Sequence, residues 1–414
     1  MNTPVKSLSS GKIYYSFVVL YLLFMSDFMC RVGVNSLFPV IQEELNLTDS
    51  QIGMLGSIVL VGMAVFVLPV SYLADKISRK KMIVILSIIW GGGTIISAMA
   101  DSYGTLVLSR FLVGLGNSAY AAISVAMLSG WFSENRRGKA VSIYDTAMDL
   151  GFAVAASSCG ILAGLMGWRA TLIFVGGMSL FLSFLSLFIP EERKASVSQT
   201  GKEEEKVSVP TVLKAVLKNK PLLLISAGAG FNNFMYAATF GWVTMFMVRE
   251  MGYSLAVAGS LCGAMSLIGI CGYPIGGIIL DKWYKKDVRS RAWLSAIMNF
   301  FYAAFTIAGF YFQFIPLLFL GYLCSTIQMS APHIATQELV QEKFRSVSYG
   351  VYVITIQSFG AIGPILVGVL SESFGLTVAL IAIQFAGFFA TLFNFGAGKS
   401  YMNVYDRVKK IEAE

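Results

Sequence analysis

Charge is the scarcest thing in this sequence. Asp, Glu, Lys and Arg make up 13% of its 414 residues, while 56% are hydrophobic and the mean hydropathy is +0.71. Soluble domains carry about 25% charge and about 45–50% apolar residues. This chain lacks the polar cover a water-soluble core would need, which excludes a soluble enzyme, a disordered chain and a disulfide-stapled secreted domain. Histidine is nearly absent, His333 being the single one. With no clustered ligands and no activated nucleophile, neither a metal centre, a cofactor nor catalysis has residues to stand on. The five cysteines, Cys30, Cys159, Cys262, Cys271 and Cys324, fall inside apolar runs without CxxC spacing. Each reads as a small buried hydrophobe.

What is abundant is long apolar sequence. Runs fall at roughly 13–36, 51–74, 82–100, 104–131, 140–166 and 170–189, then at 221–248, 255–280, 292–311, 314–337, 347–370 and 375–396. At about 20 residues per crossing, these read as twelve transmembrane helices, numbered here as spans 1 to 12. Span 1 follows Lys6 and Lys12 as a signal peptide would, but it carries Asp27 and Arg31 and lacks a small-x-small cleavage site. It reads as a retained helix. Residues 190–220, with Ser196, Ser198, Gly201 and the run Glu203–Glu204–Glu205, read as a cytoplasmic linker. The expected domains are therefore 1–189, this linker, and 221–414 ending in a short tail.

The net charge of +8 looks like a nucleic-acid footprint until the basic residues are placed. With both termini inside, 27 of the 31 fall in cytoplasmic segments, as the positive-inside rule requires. Arg169 and Arg249 fall in outer loops, and Arg31 and Arg110 lie within spans. The excess sets topology, so no nucleic-acid partner is expected.

The halves resemble each other. LPVSYLADKISRKK ends span 2 and YPIGGIILDKWYKK ends span 8, placing Asp75 and Asp281 206 residues apart. CGILAG at 159–164 and GPILVG at 363–368 repeat at an offset of 204. Such duplication places a substrate site near the midplane between the halves.

The loops after spans 2 and 8 resemble the GxxxD(R/K)xG(R/K)(R/K) signature of the major facilitator superfamily. Asp75, Lys76, Arg79 and Lys80 match in the first, with Ser71 and Ser78 replacing the glycines; Gly277, Asp281, Lys282, Lys285 and Lys286 match in the second, with Tyr284 in place of a glycine. Arg110, Gly114 and Gly116 resemble the family's RxxxGxG in span 4. The resemblance implies an all-α membrane fold of two pseudo-symmetric six-helix bundles. It also implies a cytoplasmic latch, with Asp75, Lys76, Arg79, Lys80, Asp281 and Lys282 as gating residues.

The stretch DFMCRVGVNSLFPVIQEELNLTDSQIG at 27–53, with an arginine late in span 1 and Arg110 early in span 4, resembles the anion:cation symporter branch. That branch takes up organic carboxylates and sugar acids. Arg31 and Arg110 each lie about 9–10 Å from the outer ends of their spans, at one depth. Intramembrane cations usually face a cavity, and a guanidinium fork suits carboxylate, sulfonate or phosphate. A structural reading is open for each: Arg31 pairing with Asp27 one turn away, and Arg110 packing against helix backbone.

The sequence departs from the branch at two places. Asn117 stands where its titratable glutamate falls, and Cys30 where an acidic residue precedes the span-1 arginine. Coupling then falls to Asp27, or to Asp149 with Asp145 one turn nearer the cytoplasm. In the second half Asn232, Asn233 and Tyr236 of span 7 and Gln357 of span 11 are candidates for the far wall of the site. Interhelical hydrogen bonding is as good an account of them. His333, after Pro332, lines a break in span 10; Pro69, Pro274 and Pro364 mark kinks.

The expectation is a monomeric, non-enzymatic inner-membrane carrier, importing a small organic anion with protons or sodium by alternating access. Arg31, Arg110, Asn117, Asn232, Asn233, Tyr236 and Gln357 would bind substrate, and Asp27, Asp145 and Asp149 the ion. The rivals are a proton-coupled exporter of amphipathic compounds and, from another class, a receptor that senses without transporting.

Overall fold

The computed structural model describes residues 10–132, 134–190, 217–341 and 344–413. Most of the expected linker, with Glu203–Glu205, lies outside the described residues. No strand occurs among the described residues.

In the first half the helices are α1 (Ser10–Val32), α2 (Phe38–Leu45), α3 (Asp49–Lys76), α4 (Arg79–Ala98), α5 (Tyr103–Asn117), α6 (Tyr120–Trp131) and α7 (Glu134–Ser186). In the second they are α8 (Lys220–Arg249), α9 (Leu255–Tyr284), α10 (Ser290–Tyr311), α11 (Ile315–Ile327), α12 (Ser330–Glu338), α13 (Arg345–Phe374), α14 (Leu376–Gln384) and α15 (Ala386–Ala413). Ten stretches among the described residues are long and apolar enough to cross a membrane. One of them, at 51 residues, is twice the length of a single crossing. It is broken at Gly167, whose φ of 82° belongs to the left-handed region that a side chain disfavours. The 30-residue α8 is not among the ten; Asn232 and Asn233 lie at its centre.

Three expected spans are broken, two of them where the sequence suggested continuity and the third, span 10, a few residues ahead of the break expected at Pro332. α1 tightens into a 3₁₀ turn at Gly33–Leu37 before Pro39 starts α2. Span 4 breaks at Ser118–Ala119, between α5 and α6, and span 10 at Gln328–Met329, between α11 and α12. Each break leaves backbone carbonyls without intrahelical partners, which something else must satisfy.

The chain divides into two compact units. The first runs to Leu47, resumes at Ile58 through α7, and takes in Tyr253–Ser266; the second holds Thr48–Ser57, α8 through Gly252, and everything from Leu267. In the first unit glycines let backbones touch: a Cβ on Gly114 would come within 3.1 Å of the Gly62 Cα, and one on Gly116 within 2.9 Å of the Trp90 Cβ. Close backbone approach of this kind drives helix association in lipid. After the Gly167 turn, Trp168 Nε1 donates to Glu44 at 2.5 Å, and Arg169 pairs with Glu44 and, at 3.2 Å, with Asp101.

The second unit is held by buried amide ladders. Asn232 donates to Asn299 at 2.8 Å, and Asn299 exchanges bonds with Gln328 at 3.2 and 2.9 Å. Gln384 bridges Thr239 at 3.0 Å and Thr306 at 3.1 Å. At one end Arg249 grips Asp49 with both terminal nitrogens, at 2.8 and 2.9 Å, and Ser371 donates to the same carboxylate at 2.5 Å. Between α9 and α10, a hydrogen bond from Arg289 holds the Asp287 carboxyl below its usual range.

Two cysteines correct the sequence reading. Cys30, Cys159 and Cys262 are buried, whereas Cys271 is exposed and Cys324 half-buried. An apolar wall facing lipid accommodates a thiol as well as a core does.

Candidate functional site

The break at the end of α1 organises the first unit's polar centre. Arg110, on α5 and 1% exposed, sends Nη1 to the Cys30 carbonyl at 2.8 Å and Nη2 to the Arg31 carbonyl at 2.5 Å. Those carbonyls lie at the C-terminal end of α1, where they lack helical partners and the helix dipole is negative. Arg110 therefore caps a helix. Of the two readings open for this side chain, the geometry is that of contact with backbone, and its Nε has no hydrogen-bond partner among the described residues.

Arg31 is differently placed. It is half-buried, its guanidinium stands 4.1 Å from the centroid of the Phe28 ring, and Nη1 rests on the Met63 thioether at 3.3 Å. A thioether is a weak acceptor, so this contact is easily exchanged for an oxyanion. Asp27 lies one turn earlier on α1, is 4% exposed, and its Oδ1 has no hydrogen-bond partner among the described residues.

The register of α1 against α5 and α6 follows from two contacts. Arg110 meets residues 30 and 31, and the Tyr120 hydroxyl donates to the Leu20 carbonyl at 2.9 Å, so the elements run antiparallel. Asn117, two turns beyond Arg110 on the same face, then lies about 10 Å further along, with the level of Asp27 between them. Both amide atoms of Asn117 are buried without a hydrogen-bond partner among the described residues, as are Trp90 Nε1, Ser124 Oγ and Tyr144 Oη. Buried polar atoms of native proteins are nearly always met by protein, water or ligand. Buried polar atoms of the first unit thus run along α1 from the level of Arg31 toward that of Leu20.

The remaining candidates separate. Asp149 is buried on α7, while Asp145 is exposed. Asn232 is engaged in the amide ladder, and Asn233 donates to the Ile356 carbonyl at 2.7 Å. Tyr236 stacks on Tyr322 at 5.9 Å and meets the Phe240 ring, tilted, at 4.8 Å. Gln357 is half-buried. The structure brings Arg31, Arg110, Asp27 and Asn117 into one unit and places Asn232, Asn233, Tyr236 and Gln357 in the other.

Of the gating set, the side chain of Asp75 lies outside the described residues. Lys76 ends α3 with Nζ 4.4 Å from the Tyr72 ring centroid, and Arg79 and Lys80 open α4. Asp281 and Lys282 are exposed near the end of α9. His333 accepts or donates a 3.4 Å contact with the Tyr349 hydroxyl.

Reasoning from sequence missed Trp90, Ser124, Tyr120 and Tyr144 in this centre. The signal was available: hydroxyls and an indole at mid-span in helices otherwise poor in polar groups. It also missed the Asp49–Arg249 pair, since a loop arginine says nothing of its partner.

Ten membrane-length stretches among the described residues, broken helices and a buried polar centre with two intramembrane arginines define a multi-pass membrane transporter. The chain belongs to the Major Facilitator Superfamily, whose model matches residues 20–364; it is a carrier of that family and not an enzyme. Among its relatives is the "Probable sulfoacetate transporter" of Cupriavidus necator, 24% identical over 68% of this chain and 67% of that protein. Another is an MFS-type efflux pump of Mycolicibacterium smegmatis, 24% identical over 86% of this chain and 83% of the pump. The fold matches the crystal structure of a bacterial homologue of the human lysosomal transporter Spinster with a TM-score of 0.88, at 19% identity, over 96% of this chain and 99% of that one.

Proposed function

We propose that this protein is a secondary carrier of a small organic anion, of carboxylate, sulfonate or sugar-acid type, working by alternating access as a proton- or sodium-coupled symporter. Arg31 is the anion ligand. The observation that carries this reading is the half-buried Arg31 guanidinium resting on a thioether, with its own carbonyl held by Arg110. Arg110 is a positioning residue that fixes the α1 end from which Arg31 projects. Asn117 supports the ligand shell through its unpartnered amide.

Asp27, buried one turn from Arg31, is the coupling carboxylate; Asp149 is the alternative. Protonation of Asp27 weakens its hold on Arg31 and couples ion binding to anion binding. Asn232, Asn233, Tyr236 and Gln357 belong to the second unit's contribution. The loops carrying Asp75, Lys76, Arg79, Lys80, Asp281 and Lys282 act as the cytoplasmic gate. The protein is a monomer of the inner membrane with both termini cytoplasmic. A relative that moves sulfoacetate, itself a small organic anion, is consistent with this class.

A second reading has an observation of its own: an efflux pump is a relative over 86% of the chain. In that reading Asp149 is the key carboxylate and the arginines serve structure. Flux of labelled carboxylates, sulfonates and sugar acids into proteoliposomes separates the two. Accumulation driven by an inward proton or sodium gradient supports the symporter. Extrusion of amphipathic cations with no anion uptake contradicts it.

A further inference from the structure

A groove of about 480 Å³ runs between α10 and α15 in the second unit. Trp283 and Asp287 stand at the end nearest the α9–α10 loop. Trp293, Ile297 and Phe300 follow at helical spacing along one face of α10, with Phe395 opposite them on α15. Ile297, Phe300 and Phe395 are exposed, on stretches long and apolar enough to cross a membrane. None of these residues takes part in the centre around Arg31.

The register of the two helices places the polar groups at one end. Thr391 Oγ1 donates to the Ala296 carbonyl at 3.2 Å, and the Phe395 ring meets Trp293 edge-on at 4.9 Å, so α10 and α15 run antiparallel. One turn beyond Phe395, Lys399 falls level with Arg289 and holds its ammonium 5.1 Å from the Phe395 ring centroid. Arg289 is matched by Asp287: its backbone N–H donates to Oδ1 at 2.9 Å, and its Nε to Oδ1 at 3.0 Å and Oδ2 at 3.1 Å. A carboxylate offers about four lone-pair sites, so three bonds leave Asp287 able to accept one more. This end therefore carries charge of both signs, a carboxylate and a lysine, above an apolar floor. From the level of Arg289 to that of Phe300 is about 17 Å, close to one leaflet's share of a hydrocarbon core about 30 Å thick. The two tryptophans lie toward the polar end, as aromatic residues do at headgroup level.

We propose that this groove seats one phospholipid with a primary-amine headgroup, its acyl chain on Trp293, Ile297, Phe300 and Phe395, its ammonium on Asp287 and its phosphate on Lys399. The charge pattern selects the headgroup. A primary ammonium donates the hydrogen bond that Asp287 can still accept, whereas a trimethylammonium has no N–H to give. A glycerol headgroup brings no cation to Asp287 at all. The reading concerns a site apart from the transported anion and stands whether or not the symport proposal does.

The test uses the full-length protein purified in a neutral detergent. Native mass spectrometry measures its affinity for phosphatidylethanolamine, phosphatidylcholine and phosphatidylglycerol with identical acyl chains. Asp287→Asn removes the carboxylate, Lys399→Gln the lysine, and Ile297→Trp fills the groove from an exposed position. Asp406→Asn is the charge-matched control, since Asp406 is exposed on α15 and does not line the groove.

The wild type should bind phosphatidylethanolamine at least fivefold more tightly than either other lipid. Asp287→Asn should bring its affinity to within twofold of that for phosphatidylcholine, and Asp406→Asn should leave the preference unchanged. Lys399→Gln should weaken phosphatidylethanolamine and phosphatidylcholine alike, because they share the phosphate, and Ile297→Trp should weaken all three lipids at least fivefold. Equal binding of the three lipids by the wild type would mean an unselective lipid coat and overturn the proposal. So would a preference for phosphatidylglycerol, a preference for phosphatidylethanolamine that survives Asp287→Asn, or a protein dimer in place of lipid adducts that Ile297→Trp dissociates.

Discussion

The guanidinium of Arg110 holds the carbonyl of Arg31, at 2.5 Å, and so one intramembrane arginine fixes the backbone of the other. Equivalent residue types at one depth thus have different work. Removing Arg110 leaves two buried carbonyls and a frayed helix end, a loss of about 3 kcal/mol for charge-assisted bonds in a buried setting. Arg110→Ala is expected to lower the melting temperature and abolish uptake together. Lysine, a single point donor, should restore less than half of either, as read by thermal unfolding and flux on the same preparations.

Asp27→Asn keeps shape but cannot bind a coupling proton or balance sodium. Exchange of labelled for unlabelled anion across the membrane, which needs no net ion movement, should survive. Accumulation against a gradient should fall at least tenfold. Accumulation equal to wild type would move coupling to Asp149.

The Asp49–Arg249 pair is about a third exposed on the arginine side, and Ser371 shares the carboxylate. Screening limits such a pair to roughly 1 kcal/mol. A double-mutant cycle of Asp49→Asn and Arg249→Gln on thermal stability should give a coupling energy of that size, shrinking in high salt. Strict additivity would count the contact as inert.

Gly114 has no room for a side chain, because its neighbours are the backbones of Val59 and Gly62. Gly114→Val must separate α3 from α5 and should cost about 1–3 kcal/mol in thermal unfolding. Gly92, with open space where its Cβ would be, should tolerate alanine without a measurable change.

Much of the architecture is legible in the sequence, because lipid imposes its demands on runs of about 20 residues and on where lysine and arginine fall. The resemblance in the loops and at Arg110–Gly116 led to the right family. In Gly114 and Gly116 it marked residues whose small size the packing requires. Helix breaks were less legible. Val32–Leu37 and Ser118–Ala119 contain neither a proline nor a run of polar residues, so apolar continuity hid them. The partner of Arg110 was hidden for a different reason. A backbone carbonyl has no letter in the sequence, so an arginine that caps a helix and one that faces substrate look alike. Asn232 shows the same limit, since its partner Asn299 lies 67 residues away.

Uptake of a labelled transported anion by Arg31→Gln, with melting temperature measured on the same protein, tests the division of labour between the two arginines most directly. Arg31 is half-buried and, unlike Arg110, is not the residue that holds the carbonyls at the end of α1, so the account predicts a melting temperature within about 2 °C of wild type, a change of well under 1 kcal/mol. It predicts uptake reduced by at least a hundredfold, about 2.7 kcal/mol of lost anion recognition. Uptake unchanged in Arg31→Gln, with Arg110 intact, would contradict it.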